Sequence, residues 1–198
     1  MRTLFFMLAG YLSGSVLYAH VWGRFISHRD VTAGTRDGNP GTANAFTKGG
    51  FLCGILTLFC DIAKGFFPVW LFLLQTDHGD LSLALILAAP VLGHVFPLFY
   101  HFQGGKGIAV SFGCLLGLCP FIVPAVILAA CFILFSTVLV ISPHYYRTLA
   151  SYVSAAVLTF LTVKIAAVRW GMLLISGTIV SKLMTCDEKK EQCKVKLL

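Results

Sequence analysis

The stretch GHVFPLFYHFQGGKG, residues 93–107, constrains this chain more than any other. It sets His94 and Pro97 inside an apolar run and ends that run on Gly104, Gly105, Lys106 and Gly107. Apolar sequence resumes at once from Ile108. A glycine-broken turn between two such runs must be buried in protein or face water, because bare backbone N–H and C=O groups are not tolerated against hydrocarbon. Clustered glycines bring several N–H groups together and Lys106 adds a positive charge, which together equip the turn to hold an anion such as phosphate. The nucleotide-binding P-loop is excluded, since it needs Gly where Tyr100 stands and Ser or Thr where Gly107 stands. The plainer alternative is a tight helix–helix turn with a snorkelling lysine.

The rest of the chain reads as membrane. Of 198 residues, 58% are hydrophobic and 12% charged, and mean hydropathy is +0.86. That composition excludes an ordinary soluble domain. The net charge of +7 belongs to cytoplasmic loops rather than to a nucleic-acid face, for which no soluble basic surface exists. Seven cysteines (Cys53, Cys60, Cys114, Cys119, Cys131, Cys186 and Cys193) contain no Cys-x-x-Cys pair, and five lie in apolar runs. Neither a disulfide framework nor a metal site is expected.

The fold class expected is all-α: a compact bundle of about seven transmembrane helices at residues 3–22, 51–74, 81–99, 108–118, 120–141, 148–163 and 165–179. The first run continues past a signal-peptide-like start, so it is read as a retained helix. Residues 1–181 form a single membrane-integral domain, and 182–198 a charged tail. Residues 23–50 are too broken for a span and read as an ordered surface loop. Seven crossings would put eleven of the fifteen Lys and Arg residues on one side. The positive-inside rule then sets the tail and both glycine-rich segments in the cytoplasm and the N-terminus outside.

Two further constellations carry chemistry. Residues 37–44 read DGNPGTAN, where Gly38 and Gly41 free the backbone and Asn39 and Asn44 offer both donors and acceptors. An ordinary turn-rich loop has the same composition. Arg36 and Lys48 flank it with charge. Asp61 and Lys64 lie three residues apart within a span, so they share a helix face and are able to pair. Intramembrane ionisable groups face the bundle interior, as a structural pair or a functional one.

In order, these segments are Gly14-Ser15, Gly38-Asn39-x-Gly41-x-x-Asn44, Asp61-x-x-Lys64-Gly65, and Gly93-His94-x-x-Pro97 leading to Gly104-Gly105-Lys106-Gly107. Together they resemble the bacterial acyl-phosphate:glycerol-3-phosphate acyltransferase family, over roughly residues 11–151. The segment from Thr148 to Ser151 is also similar to a serine-rich family segment. The chain makes three departures from the family pattern: Asp37 stands where Ser is usual, Ala43 and Thr47 where Thr and Arg are usual, and residues 181–186 lack a His and an Asn. A divergent paralogue with another acceptor, or without activity, therefore stays open, as does a small membrane transporter, although no internal repeat is visible.

The resemblance implies acyl transfer from acyl phosphate to the 1-hydroxyl of glycerol 3-phosphate, giving lysophosphatidic acid and phosphate in a bacterial plasma membrane, without cofactor. It implies Lys106, Asn39 and His94 as catalytic candidates. Gly38, Gly41, Asn44, Lys48, Arg36, Gly104, Gly105, Gly107, Thr148 and Ser151 become candidates for substrate binding. No Ser-His-Asp set appears, so no covalent intermediate is expected. His94 is a candidate general base, although a histidine in an apolar span more often serves packing.

Overall fold

The computed structural model describes residues 1–35, 38–185 and 192–197. Helices α1 (Arg2–Gly14) and α2 (Tyr18–Trp22) run on into a π-helical turn, Gly23–Ser27. Then come α3 (Thr42–Gly49), α4 (Phe51–Leu73), α5 (Ser82–Val95), a 3₁₀ turn (Leu98–Tyr100), α6 (Ile108–Leu116) and α7 (Val123–Ile133). A second π turn, Leu134–Val138, leads into strand β1 (Leu139–Ser142), followed by α8 (His144–Thr162), α9 (Ala166–Thr185) and strand β2 (Lys194–Leu197).

The helical membrane bundle stands, with corrections to its parts. Four helical segments are long and apolar enough to cross a bilayer: Arg2–Ser27, Phe51–Leu73, Ser82–Tyr100 and Ala166–Thr185. Val123–Val138 is apolar but shorter, and nine-residue α6 is about 14 Å long against roughly 30 Å of hydrocarbon. The expectation of a purely helical fold fails at residues 139–142, the end of the expected fifth span. This stretch is a strand, paired antiparallel with β2 from Leu139 opposite Leu197 to Ser142 opposite Lys194. The last helix runs six residues past the expected end at 179, to Thr185. Part of the expected loop 23–50 is the short helix α3.

Helix α5 is the axis of the bundle, with buried faces turned to α1 and α9. Its closeness to α1 depends on glycine. A Cβ on Gly14 would lie 2.1 Å from the Pro90 carbonyl oxygen, and one on Gly93 would lie 2.1 Å from that of Tyr11. Small residues of this kind let membrane helices approach backbone to backbone.

Beyond Val95 the helix breaks, and several of its freed backbone groups find partners. The Tyr11 hydroxyl donates to the Phe96 carbonyl at 2.8 Å, and Leu98 N–H donates to Ser15 Oγ at 3.2 Å. Gly104 N–H and Gly105 N–H donate to the carbonyls of Val95 and His94 at 3.2 and 3.1 Å. Such a break is tolerated in a membrane only when it is satisfied in this way. His101 and Phe102, both with positive φ (51° and 61°), reverse the chain between the 3₁₀ turn and the glycines. Two consecutive left-handed non-glycine residues are uncommon, and backbone of this kind collects at functional sites.

Candidate active site

The two glycine-rich segments meet where α5 breaks. Asn39 Oδ1 accepts Lys106 N–H at 3.0 Å, and Asn39 O accepts both Asn44 Nδ2 and Gly41 N–H at 2.8 Å. A Cβ on Gly41 would come within 2.6 Å of Asn39 Nδ2, so Gly41 leaves room for that side chain. Gly104 and Gly105 are needed for a similar reason. A Cβ on Gly104 would lie 1.9 Å from the His94 carbonyl oxygen, and one on Gly105 would lie 2.4 Å from His94 Nε2. The N–H groups of both are already spent on α5, so these two glycines shape the site by close approach and do not offer donors to an anion. Gly107, in the left-handed region at φ 76°, starts α6.

Beside this junction lies a cavity of about 430 Å³. Asn39, Gly41, Thr42 and Asn44 line it from the start of α3, and Lys106, Gly107 and Ile108 from the start of α6. The first N–H groups of a helix have no partner within it, and its dipole is positive at that end. Two helix N-termini and a buried lysine, Lys106 at 4% exposure, thus converge on one space. Phe46, Leu58 and Phe112 give that space an apolar wall.

Asp61, also on the wall, holds Lys64 at 2.8 Å, and both are buried. The Lys64 ammonium also donates to Val16 O at 2.6 Å and lies 2.9 Å from His94 Nδ1. An ammonium has only hydrogens to give, so Nδ1 is the acceptor and the ring hydrogen sits on Nε2. His94 Nδ1 is also 4.0 Å from Asp61 Oδ1.

Not every candidate reaches the cavity. The Lys48 ammonium lies against Gly34, and Gly38 faces a neighbouring cleft with Lys182 and Thr185. Thr148 Oγ1 donates to His144 O within its own helix at 2.9 Å. Ser151 Oγ is buried without a hydrogen-bond partner among the described residues, and Ser151 does not line the cavity. Arg36 lies outside the described residues. Two polar lining residues escaped the sequence reading. His144 sits one helical turn before Thr148. Thr42 has a buried hydroxyl without a partner among the described residues.

The profile of the family described as glycerol-3-phosphate acyltransferase matches residues 4–190. The chain belongs to that family. A relative named glycerol-3-phosphate acyltransferase, from Ralstonia nicotianae, is 39% identical over 163 residues, which cover 80% of this chain and 74% of the relative. The crystal structure of PlsY (YgiH), described as an integral membrane glycerol 3-phosphate acyltransferase, superposes in its glycerol 3-phosphate form with a TM-score of 0.79 at 24% identity. The lysophosphatidic acid form superposes at 0.77 and 25% identity. Each alignment covers 92% of this chain and 88% of the other. Membership accounts for the integral membrane bundle.

Proposed function

We propose that this protein transfers a fatty acyl group from acyl phosphate to the 1-hydroxyl of glycerol 3-phosphate, releasing lysophosphatidic acid and phosphate. The observation that carries the proposal is the convergence of Lys106 and the N-termini of α3 and α6 on one cavity with an apolar wall. The wall suits an acyl chain, and the positive ends suit the phosphate that leaves it. The glycerol oxygen attacks the acyl carbon, the carbon–oxygen bond to phosphate breaks, and the departing phosphate takes the hydroxyl proton. Lys106, Thr42 Oγ1, Asn44 and the first N–H groups of α3 and α6, from Gly107 onward, hold the charge that grows on that phosphate. Asn39 ties the two glycine segments together, with Gly41, Gly104 and Gly105 permitting their contact, while Gly38 supplies a left-handed turn before it. His94, with Nδ1 occupied by Lys64, positions Gly105 rather than accepting a proton. The reaction needs two anions brought together, which the shared cavity provides by proximity.

We also propose seven crossings, with the N-terminus outside, the site facing the cytoplasm and the protein in a bacterial plasma membrane. Arg2 pairs with Asp80 at 3.3 Å, and His78 Nε2 contacts Leu118 O at 2.8 Å, so the start of the chain and the α6–α7 turn share one end. Asn39, Gly104, Lys182 and Thr185 line one cleft at the other end. This alternation supports seven passes, with α6 crossing by leaning on its neighbours.

The test is turnover by the purified chain in detergent with acyl phosphate and glycerol 3-phosphate. Stoichiometric lysophosphatidic acid and phosphate are expected. Release of phosphate without the lipid product, or no reaction, would sink the proposal and return the chain to the paralogue or transporter class.

A further inference from the structure

A second cleft, of about 700 Å³, lies outside the Lys106 cavity and shares none of its lining residues. Its wall includes His20, Arg24, Phe25, Arg29 and Tyr100. The His20 and Tyr100 rings stack at 5.3 Å and divide it from the cleft beside Gly38. The cleft is built rather than incidental. Arg29 N–H donates to Gly23 O at 3.1 Å, closing the π turn onto itself, and His28 makes the reversal at φ 51°. Gly23 has no space for a side chain, because a Cβ there would lie 2.7 Å from Val31 Cγ1.

That closed turn presents two guanidinium groups. Neither the Arg24 nor the Arg29 guanidinium has a hydrogen bond or ion pair among the described residues. Asp30 is the one acid on the wall among the described residues. Its Oδ1 is drawn back into the loop by Thr32, whose N–H and hydroxyl donate to it at 2.9 and 2.7 Å. These bonds hold the Asp30 carboxyl below the usual carboxylate range, and the cleft keeps an excess of positive charge. Planar guanidinium forks match phosphate oxygens two at a time.

The depth of the cleft narrows the ligand. It lies at the end of the apolar segment Arg2–Ser27, where a span meets the headgroup layer, and Phe25 is 71% exposed beside Arg24. An aromatic and an arginine at a helix end are interfacial anchors, and anionic lipid headgroups at that level attract basic side chains.

We propose that this cleft is a binding site for the phosphate of an anionic membrane phospholipid, gripped by Arg24 and Arg29. The site is separate from the acyl-transfer cavity and stands whatever reaction that cavity supports. The test is native mass spectrometry of the full chain released from detergent, with phosphatidylglycerol and phosphatidylcholine as competing probes. Wild type should retain one phosphatidylglycerol with a preference of about tenfold or more, the scale of one charge-assisted hydrogen bond or better. The Arg24→Gln/Arg29→Gln double variant should lose that preference, and Arg24→Lys/Arg29→Lys, which keeps charge and loses the fork, should keep part of it. Millimolar inorganic phosphate should not displace the lipid. Equal retention by the glutamine variant overturns the site. Displacement by phosphate alone would assign the cleft to a free anion and overturn the lipid assignment. A raised KM for glycerol 3-phosphate in the glutamine variant would assign it to a substrate, with the same result.

Discussion

A lysine buried to 4% exposure between two helix N-termini has no hydrophobic reason to be there. If Lys106 holds the leaving phosphate, Lys106→Met keeps most of the side-chain length and removes the charge. We expect a loss of about 3 kcal/mol in transition-state stabilisation, on the order of a hundredfold in kcat/KM. Lys106→Arg should recover little, because a planar fork does not replace a compact ammonium. Near-normal turnover by the Met variant would end the phosphate assignment. His94 makes a different prediction. With Nδ1 taken by Lys64, it has no lone pair for a glycerol proton. His94→Asn, whose Oδ1 can take the place of Nδ1, should lower kcat/KM without changing the shape of its pH profile. Loss of an acid limb in that variant would make His94 the base after all. The residue types at the site were legible in the sequence, since Asn and Lys beside clustered glycines stand out from apolar runs. What they do was less legible. A string of letters does not say that the Gly104 and Gly105 N–H groups are used by α5, or that the Thr42 hydroxyl is left over.

At the scale of elements, the packing of α1 on α5 makes glycine a structural requirement. Gly93→Ala sets a methyl against the Tyr11 carbonyl, and should destabilise by about 1–3 kcal/mol as an overpacked contact. Gly177→Ala, with nothing within 4 Å of the new methyl, is the control, and the pair is read from thermal midpoints in detergent. Equal midpoints would show that the helices have room to part. On α4, removal of one member of the Asp61–Lys64 pair strands a buried charge, a cost of about 3–5 kcal/mol. The double variant Asp61→Asn/Lys64→Met should therefore be more stable than Lys64→Met alone; an additive result would deny the coupling. The long helices were legible because apolar runs of span length admit little else. Helix α3 was not, since TANAFTKG is short and polar and takes its place by packing on α4. Strand β1 was hidden as well: the letters LVIS suit the end of a span equally, and only pairing with the distant residues 194–197 decides between them.

The whole molecule has two ends, and their chemistry differs. One carries Arg2, the acidic turn with Asp77 and Asp80, and the exposed Cys119 beyond Leu118. The other carries both glycine-rich segments, the two clefts and, through β2, the exposed Cys193. A membrane-impermeant thiol reagent applied to intact cells should label Cys119 and spare Cys193; the reverse pattern would invert the orientation and with it the cytoplasmic site. Charge counting along the sequence anticipated that the glycine segments share a side. It did not anticipate that they touch, because Asn39 and Lys106 are sixty-seven positions apart. The β1–β2 ribbon has a practical bearing. β1 ends two residues before His144, which lines the cavity, so residues 194–197 help fix the start of α8. An affinity handle fused at the C-terminus, or a trim of residues 194–197, pulls on a wall of the cavity through that ladder, whereas the same handle at the N-terminus pulls on the end of the molecule that carries Arg2 and Asp80. Purification schemes that appear equivalent on a gel should therefore differ in specific activity, with the N-terminal handle the better choice.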